Sequence, residues 1–196
     1  MLRKIRDRIN VSNLKRIYQH IIRGKSPEDF CMEYLLNNGM KVGKNCHIYS
    51  APTIDAGRPY LISIGDNVTI SSNVTMLTHD ASPNVVHCGT KLGRVFIGNN
   101  VFIGTRSIIL CNTHIGDNVV VGAGSVVTHD LESNGVYAGA PAKRVCSIED
   151  YAERMKRLKE ERPDFNSIRP WNTWHEASEA EKKQMYDLLE DGVGFF

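Results

Sequence analysis

Three things are scarce in this chain of 196 residues, and each scarcity excludes something. Net charge is the first: 24 Lys and Arg against 22 Asp and Glu leave a formal charge of +2, too little for a nucleic-acid partner. Paired cysteine is the second. The five cysteines, at 31, 46, 88, 111 and 146, are odd in number and irregular in spacing, with no CxxC pair. They give no disulfide framework and fit the reduced thiols of the cytosol. Long apolar runs are the third: none approaches ~18 residues, and the N-terminus lacks the apolar core of a signal peptide. A cytoplasmic protein of one ordinary domain with appendages is expected.

What is present is a period of six. Ile97, Ile103, Ile109, Ile115, Val121 and Val127 recur at that step, and Gly98, Gly104, Gly116 and Gly122 directly follow four of them. Strands repeat every two residues and helices every 3.6, so neither alone explains six. A strand-plus-turn unit does, three units making one triangular coil and stacked coils burying the aliphatic column. Such fixed periodicity predicts a solenoid. An ordinary parallel sheet would need crossovers of a dozen or more residues, for which there is no room. The same phase appears in Val42, Ile48, Ile54, Ile64, Ile70 and Met76, broken by AGRPYL at 56–61 and by a stretch from about 80 to 94. Because the period resumes after each break, these are loops expelled from one continuous stack, and the longer suits a lid or substrate flap.

The flanks differ. Residues 1–25 carry eight Lys or Arg against one acid, Asp7, with Leu14, Ile17, Tyr18, Ile21 and Ile22 at helical spacing. This basic amphipathic segment either packs its apolar stripe on protein or touches an anionic membrane surface. Ser26, Pro27, Glu28 and Asp29 signal the start of a second helix, with Gly39 ending it. That helix is expected to close the open end of the solenoid. In the tail, a helix from Ser147 to about Arg162 is stopped by Pro163, and Ser178 with Glu181 opens another. Trp171 and Trp174 are read as anchors of the tail to the body. The expected division is a helical segment 1–40, a solenoid 41–146 and a helical tail 147–196.

The repeats over about 40–146 resemble the hexapeptide-repeat acyltransferases, and VVVGAGSVVTHDLESNGVYAGAPAKRV (119–145) is similar to their end-of-solenoid signature. The resemblance implies an all-β solenoid, a left-handed parallel β-helix. Its handedness comes from the resemblance, since strand crossovers in ordinary sheets are right-handed. PYLISIGDNVTISSNVTMLTHD (59–80) looks like the sugar and polysaccharide O-acetyltransferases, whose catalytic histidine has a similar THD context. His79 also stands where the period stops and the long loop begins. A rigid scaffold holds it there beside a cleft, and its ordinary pKa of ~6.5 suits proton transfer.

Carried over, His79 is the general base that takes a proton from an acceptor hydroxyl as the hydroxyl attacks the thioester of acetyl-coenzyme A. No metal is required. Asp80 either orients the imidazole or solvates the loop. A backbone N–H of Gly104-Thr105 is the candidate oxyanion donor, and Asp55 and Asn73 are candidates to hold the acceptor, although both residue types populate turns anyway. Gly104, Thr105, Gly122, Ala123, Thr128 and His129 are expected along the coenzyme, with Lys143 and Arg144 on its phosphates. His129 stands where many relatives have Lys, and Phe102 where relatives carry Trp. The resemblance further implies a homotrimer with a small-molecule or glycan acceptor, in cell-surface polysaccharide assembly. N-acetylation of an amino sugar and a non-catalytic solenoid that binds coenzyme A or an effector are the alternatives. A zinc-dependent carbonic anhydrase on the same scaffold needs convergent histidines, and His47, His79, His87, His114 and His129 contain no HxxxxH pair.

Overall fold

The structure, a computed structural model, describes residues 27–50, 53–190 and 192–196. The basic segment 1–25 and the cap expected at Ser26 lie outside these residues. The chain divides into two compact units, Met1–Ile148 and Glu149–Phe196.

The first unit is built from very short strands. In chain order they are β1 (Lys41–Val42), β2 (His47–Ile48), β3 (Ile62–Ile64), β4 (Thr69–Ile70) and β5 (Thr75–Met76). Then come β6 (His79–Asp80), β7 (Lys91–Leu92), β8 (Val95–Ile97), β9 (Val101–Ile103) and β10 (Ile108–Ile109). The last are β11 (Thr113–Ile115), β12 (Val119–Val121), β13 (Val126–Val127), β14 (Gly135–Ala138) and β15 (Lys143–Ser147). A first face is β1-β3-β8-β11, a second is β2-β4-β9-β12-β14, and a third is β5-β10-β13. All pairings within the faces are parallel, and the chain visits the faces in rotation, so each is one side of a stack of coils. β15 turns back antiparallel on β14.

Coil length explains the period. Asn99 meets its counterpart Asp117 across 18 residues, three hexapeptides per turn. Lys44 to Asp66 takes 22 and Asp66 to Asn99 takes 33, because the two loops are inserted there without disturbing the register. The longer leaves as β6 and returns as β7, an antiparallel ribbon pairing His79 with Leu92 and Asp80 with Lys91. Inside, Ile54, Ile64, Ile70, Met76, Ile97, Ile103, Ile109, Ile115, Val121 and Val127 are all at most 4% exposed. Each such side chain stabilises the fold by ~1.5–3 kcal/mol.

The corner between the first and second faces carries a ladder the hydrophobic period does not announce. Asn45, Asn67, Asn100, Asn118 and Asn134 all hold left-handed backbone, with φ from 55° to 61°. The amide of each of the first four donates to the Oδ1 of the next, at 2.8–3.1 Å. Beside them Lys44, Asp66, Asn99 and Asp117 donate their backbone N–H to Asp66, Asn99, Asp117 and Ser133 on the coil above. Asparagine tolerates this conformation better than most residues because its short side chain bonds locally.

Helix α1 (Pro27–Asn37) precedes the stack. Its Leu35 is 1% exposed within the core cluster, and Cys31 and Met32 pack against it, so the helix covers the first coil. The second unit holds most of α2 (Ile148–Glu161), which begins at the unit boundary, and α3 (Glu179–Leu188) with the expected Ser178–Glu181 capping box. Arg169 bridges to Glu181 at 3.1 Å. Trp171 and Trp174 stack on each other at 6.3 Å, and Trp171 meets Phe196, all within this unit.

The ladder makes a test. Asn100→Ala combines the cost of left-handed backbone, ~1–2 kcal/mol, with the loss of two rungs. Asn100→Gly avoids the first cost but not the second. Urea unfolding is expected to rank wild type above Gly above Ala; an Ala variant as stable as Gly would mean that the backbone conformation carries no weight there.

Candidate active site

Two loops leave the stack at the corner between the third and first faces, and a polar cluster forms at their roots. Asp55 precedes the shorter loop. Its side chain is 7% exposed, and every oxygen is engaged: Gly57 N–H donates to Oδ1 at 2.9 Å, while the Thr78 N–H (3.1 Å) and hydroxyl (2.5 Å) donate to Oδ2. His79 Nδ1 meets the same Oδ2 at 2.6 Å. Burial alone would push the carboxyl up; the bonds from the Thr78 hydroxyl, Gly57 N–H, His79 and Thr78 N–H outweigh it and hold Asp55 at about 2. Asp55 is therefore an anion near neutrality and accepts only, so Nδ1 carries the proton. That leaves the Nε2 lone pair of His79, a side chain 40% exposed, free to take a proton from a bound hydroxyl.

This geometry reassigns two residues. The imidazole is oriented by Asp55, not by Asp80. Asp80 accepts from Ser82 N–H at 2.9 Å and pairs with Lys91 at 3.0 Å, bonds that hold it at about 2 and fasten the base of the loop. Asp55 itself serves the imidazole first: Oδ2 is taken by Thr78 and His79, while Oδ1 accepts from Gly57 N–H. The link joins residues 24 apart, across an insertion, so no local motif announces it. Both flanks of the shorter loop would have to be known to meet the longer one.

The other candidates divide among the corners. Thr128 and His129, whose side chains meet at 3.1 Å, lie at the same corner as His79 but two coils on. Asn73, Gly104, Thr105, Gly122 and Ala123 lie at the opposite edge of the third face. There Thr105 Oγ1 donates to Ser72 O at 2.7 Å, and Gly124 N–H to Thr105 O at 2.8 Å. Gly104 must be glycine, since a Cβ would come within 2.5 Å of Ala123 N. Its N–H is spent on Val121 O at 2.8 Å, which leaves the Thr105 N–H as the candidate oxyanion donor. Lys143 pairs with Ala138 near this edge. Arg144 does not stay with it: its guanidinium donates to Asn134 O at 3.0 Å and approaches Glu132, at the ladder corner. Phe102, 43% exposed, stands on the second face between Thr69 and Val120.

The cluster lies outside a groove of about 410 Å³ on the first face, lined by residues including Tyr60, Arg94, Phe96, Asn112, His114 and Asp130. The dyad, defined by geometry and charge, is the better marker of chemistry.

Residues 94–129 match the bacterial transferase hexapeptide (six repeats) family. The chain is 40% identical over 151 residues to Protein CapG of Staphylococcus aureus, covering 72% of this chain and 83% of that one. It is 41% identical over 117 residues to the galactoside O-acetyltransferase of Escherichia coli (strain K12), covering 55% of this chain and 57% of that one. Among solved structures, a hexapeptide-repeat containing acetyltransferase of Vibrio cholerae O1 biovar eltor, complexed with acetyl coenzyme A, aligns with a TM-score of 0.50 at 26% identity. The alignment covers 56% of this chain and 61% of that one.

The depressed Asp55 fixes a sign. A carboxyl at about 2 when folded and 3.8 ordinarily stabilises the fold fully above pH 3.8, and loses that contribution as pH falls toward 2. Asp55→Asn is expected to cost on the order of 2 kcal/mol at pH 7 and almost nothing at pH 2. Urea unfolding across that range checks it; a pH-independent cost would show that the charge of Asp55 is not what its neighbours bind.

Proposed function

Because the chain belongs to the hexapeptide-repeat acetyltransferases, enzymes with acetyl-coenzyme A as co-substrate, we propose that it acetylates a hydroxyl of a sugar or polysaccharide precursor. The observation that carries the reading is the Asp55–His79 pair at the root of the loops. In it, Asp55 is a positioning residue that fixes the tautomer and stabilises the imidazolium once formed. His79 Nε2 removes the proton as the acceptor oxygen attacks the thioester carbonyl, and returns it to the departing coenzyme A thiolate. Base catalysis of this kind contributes ~10²–10⁴-fold. O-transfer is favoured by the THD context of His79 and by the likeness to the galactoside enzyme. The coil is read as left-handed, as in the family, and the enzyme as cytoplasmic.

One geometric fact favours an assembled site. Arg106 and Cys111 bound the third face, five residues apart, ~16 Å at ~3.3 Å per residue. An oxyanion donor acts at ~2.7–3.1 Å and a base within ~3.2 Å of its proton. His79 at one edge and Thr105 N–H at the other therefore cannot serve one carbonyl within a single chain. Pairing His79 of one copy with the Thr105 edge of another removes the conflict, and a closed homotrimer supplies that contact three times over. The β6–β7 loop then reaches the neighbouring copy.

Thiol release from acetyl-coenzyme A, measured over a panel of sugars, amino sugars and oligosaccharides, tests the reaction. It is expected to depend on one acceptor and to fall at least ~10²-fold in His79→Ala; equal rates would remove His79 from the mechanism. Deleting residues 80–94 is expected to harm acceptor turnover more than coenzyme A binding, and equal losses would argue against a role for the loop in acceptor choice.

A further inference from the structure

The groove on the first face is not used by the dyad or the donor edge. It begins, however, where the dyad ends. Gly93 N–H donates to Thr78 O at 3.0 Å, one residue from His79, and Arg94 follows at once as the groove's wall. Gly93 rests directly on Asn112, so Asn112 lines the groove one coil on. On the far side, Tyr60 and Leu61 close the shorter loop, whose Gly57 is bonded to Asp55. Both loops that make the dyad thus also frame this groove.

Its chemistry is that of a site for a charged sugar. The floor is the outward column Ser63–Phe96–His114, in register across three strands. Phe96 and His114 meet edge to face at 4.6 Å, and Phe96 and Tyr60 remain 44% and 61% exposed. Aromatic faces carry negative potential that attracts the C–H faces of a pyranose. Asn112 and Asp130 supply acceptors for hydroxyls, although Asp130 Oδ1 already takes the His114 N–H at 2.8 Å. Arg94 is exposed, at the dyad end, and makes no ion pair among the described residues. Asp130 stands toward the other end, beside the next coil. The volume, about 410 Å³, is in the small-molecule range of ~300–1,000 Å³. A guanidinium matches a carboxylate or phosphate in planar, two-point geometry.

We propose that this groove is the acceptor subsite, that it takes a pyranose bearing an anionic group, phosphate ester or carboxylate, and that Arg94 selects for that charge. This rests on the acetyltransferase reading for its role in turnover, but not for binding. Ring stacking on Phe96 and Tyr60 orients the sugar, and Arg94 draws the anionic end toward the corner of His79.

The test is binding by calorimetry to the full-length protein, with glucose 1-phosphate, glucuronate and methyl glucoside as probes. Wild type is expected to bind at least one anionic probe ~10-fold or more tighter than methyl glucoside, and which one distinguishes phosphate from carboxylate. Arg94→Met, which keeps the aliphatic stem, should abolish that preference and leave methyl glucoside and acetyl-coenzyme A affinities unchanged. No preference in wild type, or a preference surviving in Arg94→Met, overturns the proposal. A loss confined to acetyl-coenzyme A assigns the groove to the donor, and a change of oligomeric mass in Tyr60→Ala or Phe96→Ala makes it a subunit contact; either also overturns it. If the charge preference holds while no acceptor supports thiol release, the acetyltransferase reading fails and the subsite stands.

Discussion

Registry between coils is the constraint on which everything else here depends. A parallel stack keeps its aliphatic column only if each turn closes at the same length, since a slip of one residue turns every inward side chain outward. The corner of asparagines enforces that closure. Each left-handed Asn turns the chain onto the next face at the same place, and its amide bonds to the equivalent amide one coil away. The neighbouring Asp66, Asn99, Asp117 and Ser133 do the same for backbone donors. Hydrophobic burial supplies most of the stabilisation, but it does not by itself specify where a turn must end.

With registry fixed at that corner, insertions are tolerated elsewhere. Both loops leave the stack between the third and first faces, and their length is absorbed without moving a core residue. The consequence is chemical. Two segments distant in sequence are brought to one spot on a rigid wall, so a carboxylate from one can hold an imidazole from the other. Neither loop alone contains the pair. The fold is therefore more than a platform for the site: its indifference to inserted chain is what lets the site form.

How much of this was legible differs by element. The six-residue step places Ile97 through Val127 in the core without reference to anything distant, and the breaks at 56–61 and 80–94 reveal the loops. The capping residues Ser178 and Glu181 are local and readable. The asparagine ladder was also written in the chain, in the pairs Asp66-Asn67, Asn99-Asn100 and Asp117-Asn118, but a search for apolar period passes over polar residues. The role of Asp55 was not legible, because the partner that defines it lies across an insertion. Arg144 sits beside Lys143 on β15, opposite Tyr137, yet its guanidinium reaches back to Asn134 O, a direction that adjacency in sequence does not announce. The groove of Tyr60, Arg94 and Phe96 depends on three separate strands and loops, and no single stretch signals it.

The reversal of β15 carries a last implication. A stack of parallel strands has no intrinsic length limit, and its final rung is a template on which another chain could continue, as in fibrous cross-β assemblies. Running antiparallel to β14, β15 presents an edge of the wrong polarity for another parallel coil. Helix α1 screens the opposite end with Leu35 in the core. The molecule thus keeps the strand arrangement of a filament while covering part of each end from which a filament would grow.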